Sequence, residues 1–483
     1  MAATQVALQV VIGRATPTLS WVGEISRVVG EAAFDLPDPG SDSRGVFTFT
    51  STNTAVATVK GRRVTVVGAG VTTLIATQAA DGNYAQGSIS VTLTVTDRPD
   101  PTKDAGVVDG LQAQVDASVR FAAAQLSNIQ GRLREQRFAT VNRSSNDLTF
   151  AMASRSGGSV SMSAEQFTSK DTTHLPRGLA VWTAGAITTG GRDADGQGTD
   201  SDFRSDGVTL GADWRFNDRV LLGVAGGWGW DDTDLDDARS RLDAQQRAVS
   251  LYGLWRPAQR WFVDGIVGWG ELDFDIRRHS DVAGAIATAT RGGEQSFGAL
   301  TAGYEHGGGI GMTLTGYGRL DASRTTLDAY REQGLGIYDL AYGSQKVDNS
   351  GASLGVEGSF PILTPRGTAV RPYWMFEYRE TLDDRSEVEL NYVVQPIDGG
   401  YVLGMRGHGD NALTYGGGID MELARGWKLS LLGRRQHGDG QRPSSTFGLL
   451  ISFSPAVGGS TMTTSAQDDA DAAPSAPDAA PSN

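Results

Sequence analysis

The sequence contains no cysteine, which excludes disulfide frameworks and thiolate metal sites. Histidine is scarce too, and the five residues (His174, His279, His306, His408 and His437) show no metal-ligand spacing. A basic excess is missing: the formal net charge is −14, which argues against broad binding to nucleic acid. No run of about 18 apolar residues exists, so no membrane-spanning helix is expected. A strand crosses a bilayer with far fewer residues, so a β-barrel is not excluded. Met1 to Arg14 lacks a basic start followed by an apolar run, and no secretory signal is read there.

What is abundant is glycine, 64 of 483 residues, about twice the usual share. Much of it lies between about Leu179 and Phe453, where apolar residues alternate with small or polar ones. Val220, Leu222, Val224, Gly226, Trp228 and Trp230 share one face of an extended chain. Leu221, Gly223, Ala225, Gly227 and Gly229 share the other. The same period of two returns in Val370, Pro372, Trp374, Phe376 and Tyr378, against Arg371, Tyr373, Met375, Glu377 and Arg379. It returns again in Leu413, Tyr415, Gly417, Ile419, Met421 and Leu423, against Asp420 and Glu422. A soluble sandwich produces such alternation as well. Charges in mid-strand, aromatics near strand ends and alternating short and long connections favour a membrane barrel.

Twelve strands are expected, near 179–189, 203–217, 219–233, 243–257, 260–276, 290–306, 310–325, 346–360, 367–381, 411–424, 426–437 and 441–453. Turns after even-numbered strands are short, and those turns face the periplasm in outer-membrane barrels. Longer loops rich in Asp and Gly, at 190–202, 277–289, 326–345 and 382–410, would face outside.

Ahead of this region, residues 15–97 read as a small β domain with runs at Val46 to Thr50, Val64 to Val67, Thr72 to Thr77 and Ser88 to Val95. Residues 98–141 read as a linker and a helix. Leu111, Val115, Ala122, Leu126, Ile129 and Leu133 recur at helical spacing, and Arg120, Arg132, Arg134 and Arg137 make the helix basic. Residues 142–178 read as a connector, with a strand at Val160 to Ser163. Residues 454–483 hold almost no large apolar side chain and are expected to be disordered.

The stretch from Ser51 to Val59 and from Val64 to Ala76 resembles the bacterial immunoglobulin-like repeats of surface adhesins. A surface module, a helix and a twelve-stranded C-terminal barrel are together similar to autotransporters, the type V secretion family. That resemblance rests on the helix, the strand series, Arg260 to Gly268, Leu413 to Asp420, and the closing Ser445 to Phe453. It implies an outer-membrane translocator of a Gram-negative cell, all-β, with the helix left in the lumen and an adhesive or spacer passenger at the surface. Its partners would be outer-membrane lipid, periplasmic chaperones, the barrel assembly machinery and a surface ligand of unknown kind. No cofactor and no catalytic residue are expected. Lumen-facing charges would include Asp213, Arg215, Asp264, Glu357, Arg371, Glu377, Arg379, Asp420 and Glu422, with the acidic ones meeting Arg120, Arg132 and Arg134 of the helix. Phe453 would be the terminal aromatic read during assembly, although here 30 residues follow it. The alternatives are a porin-like channel and an outer-membrane hydrolase.

Gln5 to Val11 resembles Ser90 to Thr96, the closing strand of the β domain. Residues 1–14 are therefore expected to be the last strand of a preceding repeat in a longer protein. Three motifs carry weaker chemistry. Gly351-Ala352-Ser353-Leu354-Gly355 fits a nucleophile elbow but lies in a strand, where that pattern has no meaning. Asp232, Asp234, Asp236 and Asp243 suggest a calcium loop without its turn glycine, and a solvated loop is the simpler reading. Asn128 lies in the helix without the paired asparagine at which some autotransporters cleave.

Overall fold

The computed structural model describes residues 12–137, 149–153, 159–163, 178–193, 199–235, 239–307, 311–363, 369–406, 411–423, 426–438 and 442–454. The expected remnant strand, apart from Ile12 to Arg14, the tail beyond Ser454, and His174 and His408 lie outside these residues. In the connector, Thr149–Ala153 pairs antiparallel with Ser159–Ser163, a hairpin where the sequence suggested one strand.

The N-terminal β domain packs a four-stranded sheet on a three-stranded one. The larger runs Ile25–Val28, Gly87–Thr96, Gly70–Gln78 and Phe47–Ser51 in spatial order, the first pair parallel. The smaller holds Phe34–Asp35, Arg63–Val66 and Ala57–Lys60. Alternation in Gly87–Thr96 turns Val91, Leu93 and Val95 inward and leaves the threonines between them nearer the surface. They meet Leu36, Val64, Leu74 and Ala76, all without exposed surface.

The long C-terminal region closes into a barrel of twelve antiparallel strands. They are β1 (Leu179–Arg192), β2 (Ser201–Asn217), β3 (Val220–Leu235), β4 (Ser240–Ala258), β5 (Trp261–Ser280), β6 (Ala285–Gly307), β7 (Thr313–Leu327), β8 (Gln345–Ser359), β9 (Ala369–Asp383), β10 (Ala412–Glu422), β11 (Trp427–Gly438) and β12 (Arg442–Phe453). Each overlaps an expected strand. β12 pairs with β1 from Phe453 opposite Val181 to Arg442 opposite Gly191, so no edge remains open.

One of the expected long loops is short. Residues 277–289 are not a long loop: β5 continues to Ser280, β6 begins at Ala285, and four residues join them. Asp232 to Leu235 likewise belong to β3 rather than to a loop. The reason lies on the outer faces. On β5 the outward residues are Trp261, Val263, Val267 and Trp269, and then Glu271, Asp273, Asp275 and Arg277. On β4 they are Arg241, Asp243, Gln245 and Arg247, and then Val249, Leu251 and Trp255. The change falls at one level around the wall, between Asp206 and Val208 on β2, Trp230 and Asp232 on β3, and Tyr378 and Glu380 on β9. The apolar band from Trp261 to Trp269 has the length a tilted strand needs to cross a bilayer, about 9 to 11 residues. Above it the strands run on into water, and the inner face becomes the apolar one. Leu235, Leu242, Leu272, Phe274, Ile276, Leu327 and Val347 form a dry core there.

Eight of the ten tryptophans (Trp214, Trp228, Trp230, Trp255, Trp261, Trp269, Trp374 and Trp427) sit on the outer face near the two edges of this band. Trp prefers that level because its ring is apolar and its N–H needs a partner. Quenchers attached at shallow depth in the lipid should therefore quench most Trp emission. Quenching strongest at the bilayer centre contradicts the placement.

Among the described residues a single α-helix, α1 (Ala105–Arg137), lies inside the barrel. Asp104 caps its first turn, accepting from the Val107 N–H at 3.3 Å. Its two halves match the two zones of the wall. Val107, Leu111, Val115 and Phe121 join the dry upper core, whereas the arginines fall in or near the lower, polar lumen. The helix approaches β3 closely because Gly227 and Gly229 face it. A Cβ on Gly229 would stand 2.8 Å from the Phe121 ring, and one on Gly227 would overlap the Gln125 amide.

Candidate functional site: a helix seated in the barrel lumen

The arginines of α1 reach the wall like spokes. Arg120 grips Asp231 of β3 through two bonds of 2.7 Å, and its guanidinium lies 4.0 Å over the Phe203 ring. Arg132 makes the same fork with Asp213 of β2 (2.7 and 2.9 Å) and donates its remaining Nη1 to Glu135 at 2.7 Å. Arg134 forks onto Asp420 of β10 at 3.0 Å, with Glu357 of β8 at 3.6 Å and the Tyr373 ring 3.7 Å away. Arg137 meets Asp264 of β5 at 3.3 Å and Glu305 of β6 at 3.8 Å. Planar two-point contacts of this kind fix geometry as well as charge. Shielded from bulk water, they are stronger than on a surface.

Neutral contacts complete the seat. Trp182 donates to Tyr252, which donates to Asp213 at 3.1 Å. The Ser452 hydroxyl of β12 donates to Glu135 at 2.6 Å. The last carbonyls of the helix are met by wall arginines: Arg215 donates to the Gln136 carbonyl at 3.1 Å and Arg256 to that of Arg137 at 2.6 Å. Cations at a helix C-terminus also suit its dipole.

The remaining charges read from the sequence lie on the same inner face. Glu377 accepts from Arg319 and Tyr317. Arg379 donates to Asp321 at 2.7 Å and to Asn349 at 3.0 Å. Arg371 stands opposite Asp420 in register, and Glu422 lies 3.8 Å from Lys428. Asp231, Glu305 and Arg256 were missed. Asp231 was hidden in a run of aspartates that looks like a solvated loop. Its inward phase, shared with Ala225, Gly227 and Gly229, was the readable sign.

The weaker motifs resolve into structural contacts. Ser353 points inward and accepts from Arg319 at 3.3 Å. Arg241 sits among the suspected calcium ligands, 3.2 Å from Asp232 and Asp234 and 2.7 Å from Asp243. Among the described residues no group of three or more His, Asp or Glu could hold a metal ion. Asn128 is buried and donates to Thr209 at 2.9 Å.

Above the barrel, Tyr401–Arg406 pairs with Arg385–Tyr392 in a hairpin between β9 and β10. The hairpin turn holds the linker. Arg98, 4% exposed, donates to the carbonyls of Ile337, Val394 and Gln395 and lies 4.0 Å over the Tyr392 ring. Burial pushes its pKa below the ordinary arginine value, against the opposing pull of Tyr392. Gln395, in the left-handed region at φ 50, donates to Val66 and Val67 of the N-terminal domain. That domain and the helix N-terminus thus sit at the long-loop end. At the other end Phe453 closes β12, its ring 5.0 Å from that of Trp427.

A family model, the autotransporter beta-domain, matches residues 181–432, more than half of the chain. No curated protein matches the sequence. Solved structures similar to the chain include the translocator domain of the autotransporter NalP from Neisseria meningitidis, 15% identical over 60% of this chain and 93% of that one, with a TM-score of 0.46. The beta domain of the Bordetella autotransporter BrkA is 14% identical over 57% of this chain and 99% of that one, with a TM-score of 0.43. The transport unit of AIDA-I from Escherichia coli is 12% identical over 60% and 95%, with a TM-score of 0.41. By its family match, and in keeping with its banded twelve-stranded barrel, the chain belongs to the autotransporter family and carries an outer-membrane translocator domain.

Proposed function

We propose that this translocator exports and then anchors an immunoglobulin-like surface module, adhesive or spacing in role, and keeps α1 in the lumen as the tether. The observation that carries this is the course of the chain. The β domain and linker stand at the long-loop end, and α1 runs down the lumen to arginine-capped carbonyls near the short turns where β1 begins. A chain pulled outward through the barrel would come to rest in that arrangement. The wall carboxylates Asp213, Asp264, Glu357 and Asp420 would serve as the seat for the helix. Outer-membrane lipid would cover the apolar band, and the assembly machinery, supplied by periplasmic chaperones, would read β12 and Phe453. A plain porin-like channel fits less well, because the helix occupies most of the lumen.

An epitope inserted at the exposed Gly61 turn should be reached by antibody on intact cells, and external protease should remove it. An epitope at Asp218, in the turn between β2 and β3, should stay protected until the outer membrane is opened. Protection at Gly61 with exposure at Asp218 would reverse the orientation and sink the proposal.

A further inference from the structure

We infer that the part of the lumen left open beside α1 is a hydrated path that selects for small inorganic anions. The inference rests on the reading that α1 stays in the lumen. The helix packs chiefly against β1 to β6, and a cavity of about 250 Å³ remains along β7 to β11. Liquid water takes about 30 Å³ per molecule, so several waters fit. The lining runs from Asp264 and Glu357, near the short turns, to Ser323, Asn349 and Gln436, at the level where the outer face turns polar. The cavity therefore extends over most of the height of the apolar band. On the helix side the lining alternates small residues, Ala123, Ser127 and Gly131 among them, with larger ones such as Leu126, Gln130 and Arg134.

The charges facing this water are unequal. Five guanidinium groups line the cavity against four carboxylates. Each carboxylate already has a partner: Asp264 has Arg137, Asp321 has Arg379, Glu377 has Arg319, and Glu357 has Arg134. Asp420 and Glu305, which also touch these arginines, are outside the lining. Among the described residues, Arg434 of β11 has neither a hydrogen bond nor an ion pair, and the main opposing charge acting on it, Glu377, is held by Arg319 and Tyr317. Among the buried polar atoms of the lining, the Asn349 amide is a donor and Glu357 Oε1 an acceptor without a hydrogen-bond partner, the latter lying 3.6 Å from Arg134. An uncompensated cation in a narrow, low-dielectric passage raises the local concentration of anions. Rings or clusters of arginine are a common way for pores to prefer anions.

The test is ion selectivity of the full-length chain in planar bilayers under a KCl gradient. The intact protein should show a small conductance whose reversal potential has the sign of chloride preference. Arg434→Gln should weaken that preference, and Arg434→Glu should move it toward potassium. Ser127→Trp should reduce the current by filling the path, and SDS-resistant migration checks that each variant is folded. Potassium preference in the intact chain, no response to Arg434→Glu, or no current at all would overturn the inference. A conductance equal to that of a chain lacking α1 would show instead that the helix is not seated, and the tether reading would fail with it.

Discussion

Deleting residues 104–140 is expected to raise the single-channel conductance several-fold and to make the pore prefer cations. An α-helix with its side chains is about 10 to 12 Å across, and one of 33 residues is about 50 Å long. Its removal opens most of the lumen and leaves only the wall. Asp213, Asp231, Asp264 and Asp420 would then lose their arginine partners and face the water column. Rings of such carboxylates favour cations. The selectivity should thus turn opposite to that inferred for the intact chain. Planar-bilayer recordings of both proteins decide the matter. Unchanged conductance would mean that α1 does not sit in the lumen.

Arg132→Ala should be the most destabilising single change in the seat. The Arg132 side chain has no exposed surface, and those of Asp213 and Glu135 are 2% and 5% exposed. Removing the guanidinium leaves two carboxylates in a dry site. Breaking a buried pair in this way costs about 3 to 5 kcal/mol. The triple change Arg132→Met, Asp213→Asn and Glu135→Gln should recover much of the loss, because the two buried carboxylates left without their guanidinium are then neutral. The readout is the temperature at which the SDS-resistant band converts to the unfolded form. If Arg132→Ala converts with the wild type, the network does not hold the helix. Arg120→Ala should shift the temperature less, since the Arg120 side chain keeps 10% of its surface in contact with solvent.

Much of the seat could be read from sequence because strands have a strict period. Once Trp374 and Phe376 are assigned to lipid, Glu377 and Arg379 must face the lumen. The same logic places Asp213, Asp264, Glu357 and Asp420 inside. Which of them would meet the helix was not readable. β10 carries Asp420 and β2 carries Asp213, and only closure of the sheet through β1 and β12 brings them around one axis. The strand lengths were underestimated for a related reason. Glu271-Leu272-Asp273-Phe274-Asp275-Ile276 still alternates, but its apolar residues face inward where Trp261 to Trp269 had theirs facing out. The expected strand 260–276 ends with that stretch, and Arg277 to Ser280, whose outward side chains are polar, read as loop.

The sequence by itself determined the twelve strands, the inward and outward faces within the apolar band, and a basic helix placed before them. These are properties of local period and composition, and short-range geometry enforces them. Only the tertiary structure decided the rest: that the upper wall encloses a dry core, that Arg98 is clasped by a loop almost 300 residues away in the chain, and which carboxylate each arginine takes. Those pairings join residues distant in sequence. Their geometry exists only when the barrel has closed and the helix lies within it.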